Sequence, residues 1–332
     1  MHFNPETLAE ELRKVPHYLL FGLLVTLIAP DRANARPFLY IANNLGNSVT
    51  VIDAATNRIV ATISGLSGPN GVAITPDGTR AYVTNSADNS ISVINTSTNT
   101  IIATILGLSN PLGEVFSVGG TDLDLYVTEY GNNSLTEINA NNNTIEATLY
   151  GFAGPGGIAI TPDGKWLYVA NGNEVGGTVT VVKTATFTVQ TTIHGFTNPV
   201  DVAINPAGTR AYVACNLGNA VAVVNTATNT LLTTIFGFSG PTSTAITPTG
   251  TSAYETNNSG NSVSVINTVT NTIVTTIFGF SGPSSVAVTP DGTRAYVTDN
   301  LGNSVSAIDT ASNTIVATIY GLSGPTGIAI KP

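Results

Sequence analysis

The chain has 332 residues, a net charge of −9, and only 9% charged against 42% hydrophobic residues. Long amphipathic helices need a charged face, and phosphate binding rests on clustered Lys and Arg, so this composition argues against a helical body and against nucleic-acid or anionic-membrane partners. Abundant Gly, Thr, Asn and Ser instead suit many short strands joined by tight turns.

At the N-terminus, Asn4-Pro5-Glu6 offers a helix start, and Leu8, Leu12 and Val15 share one face until Pro16 ends it. Arg13 and Lys14 precede an uncharged, mostly apolar run of twelve residues from Tyr18 to Ala29, followed by the small-x-small pattern Ala33-Asn34-Ala35. As a helix, twelve residues reach about 18 Å, short of a hydrocarbon core of roughly 30 Å. Residues 1–35 are therefore read as an export signal cleaved after Ala35, leaving no stable membrane span and a mature domain from residue 36 to 332. Glu6, Glu10 and Glu11 make the leader long and acidic, so an uncleaved anchor or a misplaced start codon stays open. The expected destination is the periplasm, the cell surface or the medium. Cleavage removes three of the 11 basic and four of the 20 acidic side chains, leaving a charge of about −8. Cys215 is the only cysteine, so no internal disulfide can form, and a small buried side chain is its expected role.

From residue 38 onward one unit repeats. Tyr40, Tyr82, Tyr126, Tyr168, Tyr212, Tyr254 and Tyr296 recur at spacings of 42, 44, 42, 44, 42 and 42, each in a version of Ala-Tyr-Val-Thr-Asn. Each copy holds four β-rich runs. In the second copy these are Gly68–Ile74, Ala81–Asn85 after a Thr-Pro-Asp-Gly-Thr-Arg turn, Ser90–Asn95 and Thr100–Ile105. The first copy starts in its second run at Phe38, and the chain ends with a lone first run, Gly324–Ile330. An open solenoid gains nothing from such a split, whereas a ring uses it to pair first and last strands and protect their edges. The sequence thus predicts an all-β, seven-bladed propeller of four-stranded antiparallel blades, with residues 324–330 completing the blade of residues 38–64.

Tyr82-Val83-Thr84-Asn85 with its Thr-Pro-Asp-Gly turn resembles the YVTN-family β-propeller repeats of exported bacterial propellers and archaeal surface-layer proteins. The likeness runs through all seven copies. It implies the fold and a binding or surface scaffold, and no particular chemistry.

In such a ring the fourth-to-first and second-to-third loops share one face, which is the expected ligand face. One insertion, within Asn171–Gly177, lies on it; the other, between Pro111 and Tyr126, is aligned to the first turn, on the opposite face. Departures from the repeat give five candidate ligand-binding residues: Glu114, where siblings carry Val or Ile; Glu129 and Tyr130 at the end of a second strand; Glu174 in the insertion; and Asp201, in place of Gly or Ser. These carboxylates could hold a cation or a basic partner, or merely solvate the rim. Glu137 and Glu255 replace apolar strand residues and are expected to be paired or partly exposed, because a buried lone carboxylate is costly. His194 is expected to pack, and Leu66, Leu108, Phe152, Phe196, Phe238, Phe280 and Leu322 to form a ring of blade contacts.

Haem-attachment, nucleophile-elbow, phosphate-loop and complete calcium-loop motifs are missing, and His194 is the single histidine after Ala35. No cofactor, catalytic residue or metal site is assigned. The first reading is an exported, monomeric scaffold that binds a protein or small ligand through its loop face. The alternatives are a metal-dependent lactonase- or lyase-like propeller using Glu114 and Asp201, and a surface-layer component.

Overall fold

The computed structural model describes residues 37–119, 123–172 and 176–331. The leader, the tip of the first-turn insertion and Glu174 lie outside these residues.

The described residues form seven four-stranded antiparallel sheets. Blade 1 spans residues 69–105, and blades 2 to 6 span 111–150, 155–196, 199–236, 241–278 and 283–320. The seventh, the seam blade, joins Pro325–Lys331 to the three strands of residues 38–64, with Phe38 opposite Lys331, Leu39 opposite Ile330 and Ile41 opposite Ile328. Each blade's first strand touches the first strands of the blades on either side, from Pro69–Ile74 round to Pro325–Lys331, so the inner strands close a ring around a central channel. The sequence prediction of fold and closure is met in full.

The repeated tetrapeptide accounts for the assembly. In every copy but that of Tyr126, its Tyr hydroxyl crosses to the next blade and bonds an Asn in the third-to-fourth-strand turn, as Tyr82 does to Asn143 at 2.6 Å and Tyr254 to Asn313 at 2.7 Å. That Asn has positive φ, +61° at Asn143, a conformation Asn tolerates better than larger side chains. The Val lies in the interblade core, with Val83, Val127, Val169, Val213 and Val297 fully buried. The Thr hydroxyl donates to the carbonyl of the next inner strand, Thr84 to Leu112 at 2.8 Å and Thr298 to Thr326 at 2.7 Å. The Asn amide donates within its own blade to two third-strand hydroxyls, Asn85 to Ser90 and Ser92 at 3.0 and 2.9 Å. Burying these hydroxyls and amide nitrogens is tolerated because they find partners, whereas the Asn85 side-chain oxygen is buried without one.

Two readings are settled at this level. Leu66, Leu108, Phe152, Phe196, Phe238, Phe280 and Leu322 are buried in interblade clusters, as expected. His194 does not pack: it is exposed on an outer strand, where its equivalents Phe236, Phe278 and Tyr320 are 70 to 71% exposed. The outermost strand has no further strand to cover it, which a position-by-position comparison of copies does not reveal.

Candidate functional site: the central channel

The first strands enter the channel from the loop face, so their second and third residues form its wall near that mouth. These include Asn70, Gly71, Leu112, Gly113, Gly156, Gly157, Val200 and Asp201, and they line a cavity of about 300 Å³ with Thr242, Ser243, Ser284, Ser285, Thr326 and Gly327. The lining is mostly backbone, small residues and hydroxyls. Among the described residues, no Lys, Arg or His lines it.

Glu114 and Asp201 are brought together on one smaller hollow of this channel, about 150 Å³. Glu114 rises from blade 2 and lays its carboxyl on Gly71 of blade 1, where any Cβ would collide with both oxygens. Those oxygens are closed off from solvent and accept no hydrogen bond. Burial pushes the pKa well above the ordinary carboxylate value, against a smaller opposing pull from the neighbouring Thr84 hydroxyl. Asp201, on blade 4, packs against Gly157 of blade 3 and accepts the Thr244 amide of blade 5 at 3.0 Å. Burial raises it to about 6, partly offset by its hydrogen bonds.

A third carboxyl belongs with them. Glu255 is fully buried in blade 5; one oxygen accepts the Thr244 hydroxyl and the other has no partner. Burial, reinforced by the charge of Asp201, pushes its pKa well up. Thr244 therefore bridges the two acids, donating its amide to Asp201 and its hydroxyl to Glu255. Its place in the repeat is held elsewhere by Val72, Ile158, Val202, Val286 and Ile328, and in blade 2 by Glu114 itself, so a hydroxyl there departs from the copies as legibly as the carboxyls do.

Glu129 and Tyr130 are not among the residues that line this channel. Glu129 is 2% exposed and takes the places of an Asn: it accepts the Ser109 amide at 2.6 Å, the Asn132 amide at 3.3 Å and the Thr136 hydroxyl. Those bonds tie blade 2 to its own loops. Tyr130 follows it onto the loop face, 53% exposed. Glu137 is paired, with Tyr126 directly opposite it. Cys215 is buried with a thiol raised to about 11, mainly by burial, and the hydroxyl positions its Asn counterparts use are here Ala220 and Ala222. Among the described residues no three His, Cys, Asp or Glu side chains are grouped to hold a metal ion.

The comparisons agree with this architecture. The family described as Lactonase, 7-bladed beta-propeller, matches residues 115–248, from the inner strand of blade 2 to the first turn of blade 5 and less than half the chain. No curated protein matches. Among solved structures, the chain is similar to hydrazine synthase of Kuenenia stuttgartiensis, with 24% identity, a TM-score of 0.76, and 82% of this chain and 92% of that one covered. A functionally unknown protein of Desulfotomaculum acetoxidans gives 18% identity and a TM-score of 0.77, covering 88% and 98% of the two chains. A protein provisionally described as a 6-phosphogluconolactonase of Bacteroides fragilis gives 15% and 0.73, covering 91% and 99%. At such identities the likeness is one of fold: the chain is a seven-bladed β-propeller with a partial match to the lactonase family.

Proposed function

We propose that the protein binds a small, uncharged, hydroxyl-rich ligand at the loop-face mouth of its channel. The observation that carries this reading is the wall itself, a ring of backbone groups and Ser and Thr hydroxyls around a desolvated Asp201, with no basic side chain among the described residues that line it. Such a wall can exchange hydrogen bonds with a polyol or sugar ring in many orientations. A phosphorylated ligand would meet carboxyls and no cation, so the substrate named for the Bacteroides fragilis protein does not suit this channel.

The test is calorimetry with glucose, inositol and glucono-δ-lactone on wild type and Asp201→Asn. Loss of a hydrogen bond to a charged group corresponds to roughly a tenfold weaker affinity in the variant. No binding by any of the three, or equal binding by the variant, would remove the reading.

Hydrolysis of an uncharged lactone is a second reading, supported by the family match over residues 115–248 and by Asp201, which at about 6 is ionised at neutral pH and suited to activate water. It requires lactone opening above the spontaneous rate, rising through about pH 6 and lost in Asp201→Asn. Binding without such a rate would leave the first reading standing alone.

A further inference from the structure

On the face opposite the loops, a cavity of about 480 Å³ opens between the first turn of blade 3 and the turns of blade 4. Its walls include Pro162, Asp163, Trp166, Thr209, Thr226 and Ala227. The repeat shows what such a place holds in other blades. In blade 1 the corresponding residue is Arg80, whose guanidinium stands 5.6 Å from the Tyr82 ring centroid and donates to the Tyr82 hydroxyl at 3.0 Å and to the Ala140 carbonyl of blade 2. In blade 4 it is Arg210, which donates to the Thr268 carbonyl of blade 5 at 3.2 Å. Phe38, Asp124 and Ser252 stand there in other copies, and Arg294 turns to Asp309 of its own blade.

Blade 3 has Trp166 instead. The carbonyl equivalent to those of Ala140 and Thr268 is that of Thr226, which accepts the Tyr168 hydroxyl at 3.2 Å and, among the described residues, receives no guanidinium. We propose that this cavity is a binding site for a guanidinium group brought by an arginine side chain of a peptide ligand. The Thr226 carbonyl offers the acceptor used twice within the ring, and indole is the best aromatic partner for a cation. Asp163 supplies the opposite charge: the Thr161 hydroxyl bonded at 2.6 Å holds its pKa below the ordinary value. Lys165 already pairs with Asp163 at 3.1 Å, but both are mostly exposed, and such a pair is weak enough to yield to the planar fork of a guanidinium. The net charge of −9 favours the approach of a cation.

Trp166 is the only tryptophan, so its fluorescence reads this cavity directly. Titration with acetyl-arginine methylamide should give a saturable change with a Kd in the range of about 1 mM, as befits one small charged group. Acetyl-lysine methylamide should bind several-fold more weakly, and glucose should give no response. Asp163→Asn keeps the fluorophore and should weaken binding about threefold, while Lys165→Ala should tighten it about twofold. Trp166→Arg restores the residue of blades 1 and 4; it should melt no lower than wild type and show no binding by calorimetry. A peptide Gly-Gly-Arg-Gly-Gly binding more tightly than the single-residue probe would support a peptide source. Equal affinity of the two would overturn that source in favour of a free guanidinium compound. Absence of a saturable change up to about 50 mM, equal response to lysine, or a response to glucose would overturn the site.

Discussion

Asp201, Glu255 and Glu114 are acids that the folded chain holds more readily in their protonated forms. For such a group the unfolded chain releases its proton first, so folding loses free energy as pH rises from the unfolded pKa to the folded one. Asp201 and Asp299, each raised from 3.8 to about 6 chiefly by burial, set the window between roughly pH 4 and pH 6. At about 1.4 kcal/mol per pKa unit, each can cost up to about 3 kcal/mol above that window. Asp77 and Asp291 act oppositely: hydrogen bonds hold them low, so the stability they add is lost only in stronger acid. The melting temperature should therefore be higher at pH 5 than at pH 7, by several degrees, and fall again below about pH 4. Asp201→Asn with Asp299→Asn should flatten the difference between pH 5 and pH 7. Equal melting of wild type at those two pH values would show that these acids are not desolvated in solution.

Among the repeated elements, one turn breaks the pattern and another strand answers it. Residues 184–187 of blade 3 end in Phe187 at φ +46°, where other copies place an Asn. A bulky residue in this region is strained by about 1–2 kcal/mol. Phe187 offers Tyr126 of blade 2 no acceptor and instead stacks on its ring, centroids 6.0 Å apart. Glu137, opposite Tyr126 in the sheet, takes the hydroxyl, and burial leads the causes that raise its pKa. The two departures thus compensate one another. Phe187→Asn with Glu137→Val, which restores the common pattern, should be more stable than the two single changes add up to, with a coupling of about 0.5–3 kcal/mol. Strict additivity in denaturant melts would separate the two sites. Cys215 with Ala220 and Ala222 follows the same logic in apolar form, since removing both ends of a buried hydrogen bond can be nearly neutral.

For the whole molecule the decisive contact joins residues nearly 300 positions apart, Phe38 with Lys331 and Tyr40 with Ala329. Deleting residues 322–332 would remove Leu322 and Ile328 from a buried cluster and bare the edge of Phe38–Asn43. The truncated chain should aggregate or lose its cooperative transition in calorimetry. Melting at the wild-type temperature would mean that six complete blades hold without the seam.

Blade number, the four-strand unit and the closure are legible in the residues alone, because each follows from local patterning repeated seven times and split between the first and last copies. The sequence also marked Glu114 and Asp201, since a carboxyl among Val, Ile, Gly and Ser stands out from its copies. Which departures meet depends on how the folded blades are packed. Asp201, Thr244 and Glu255 converge because neighbouring blades interlock, and Trp166 and Thr226 come to line one cavity only across a blade boundary. A repeat fixes what each blade is, whereas burial, partners and pKa depend on what the adjoining blade presents.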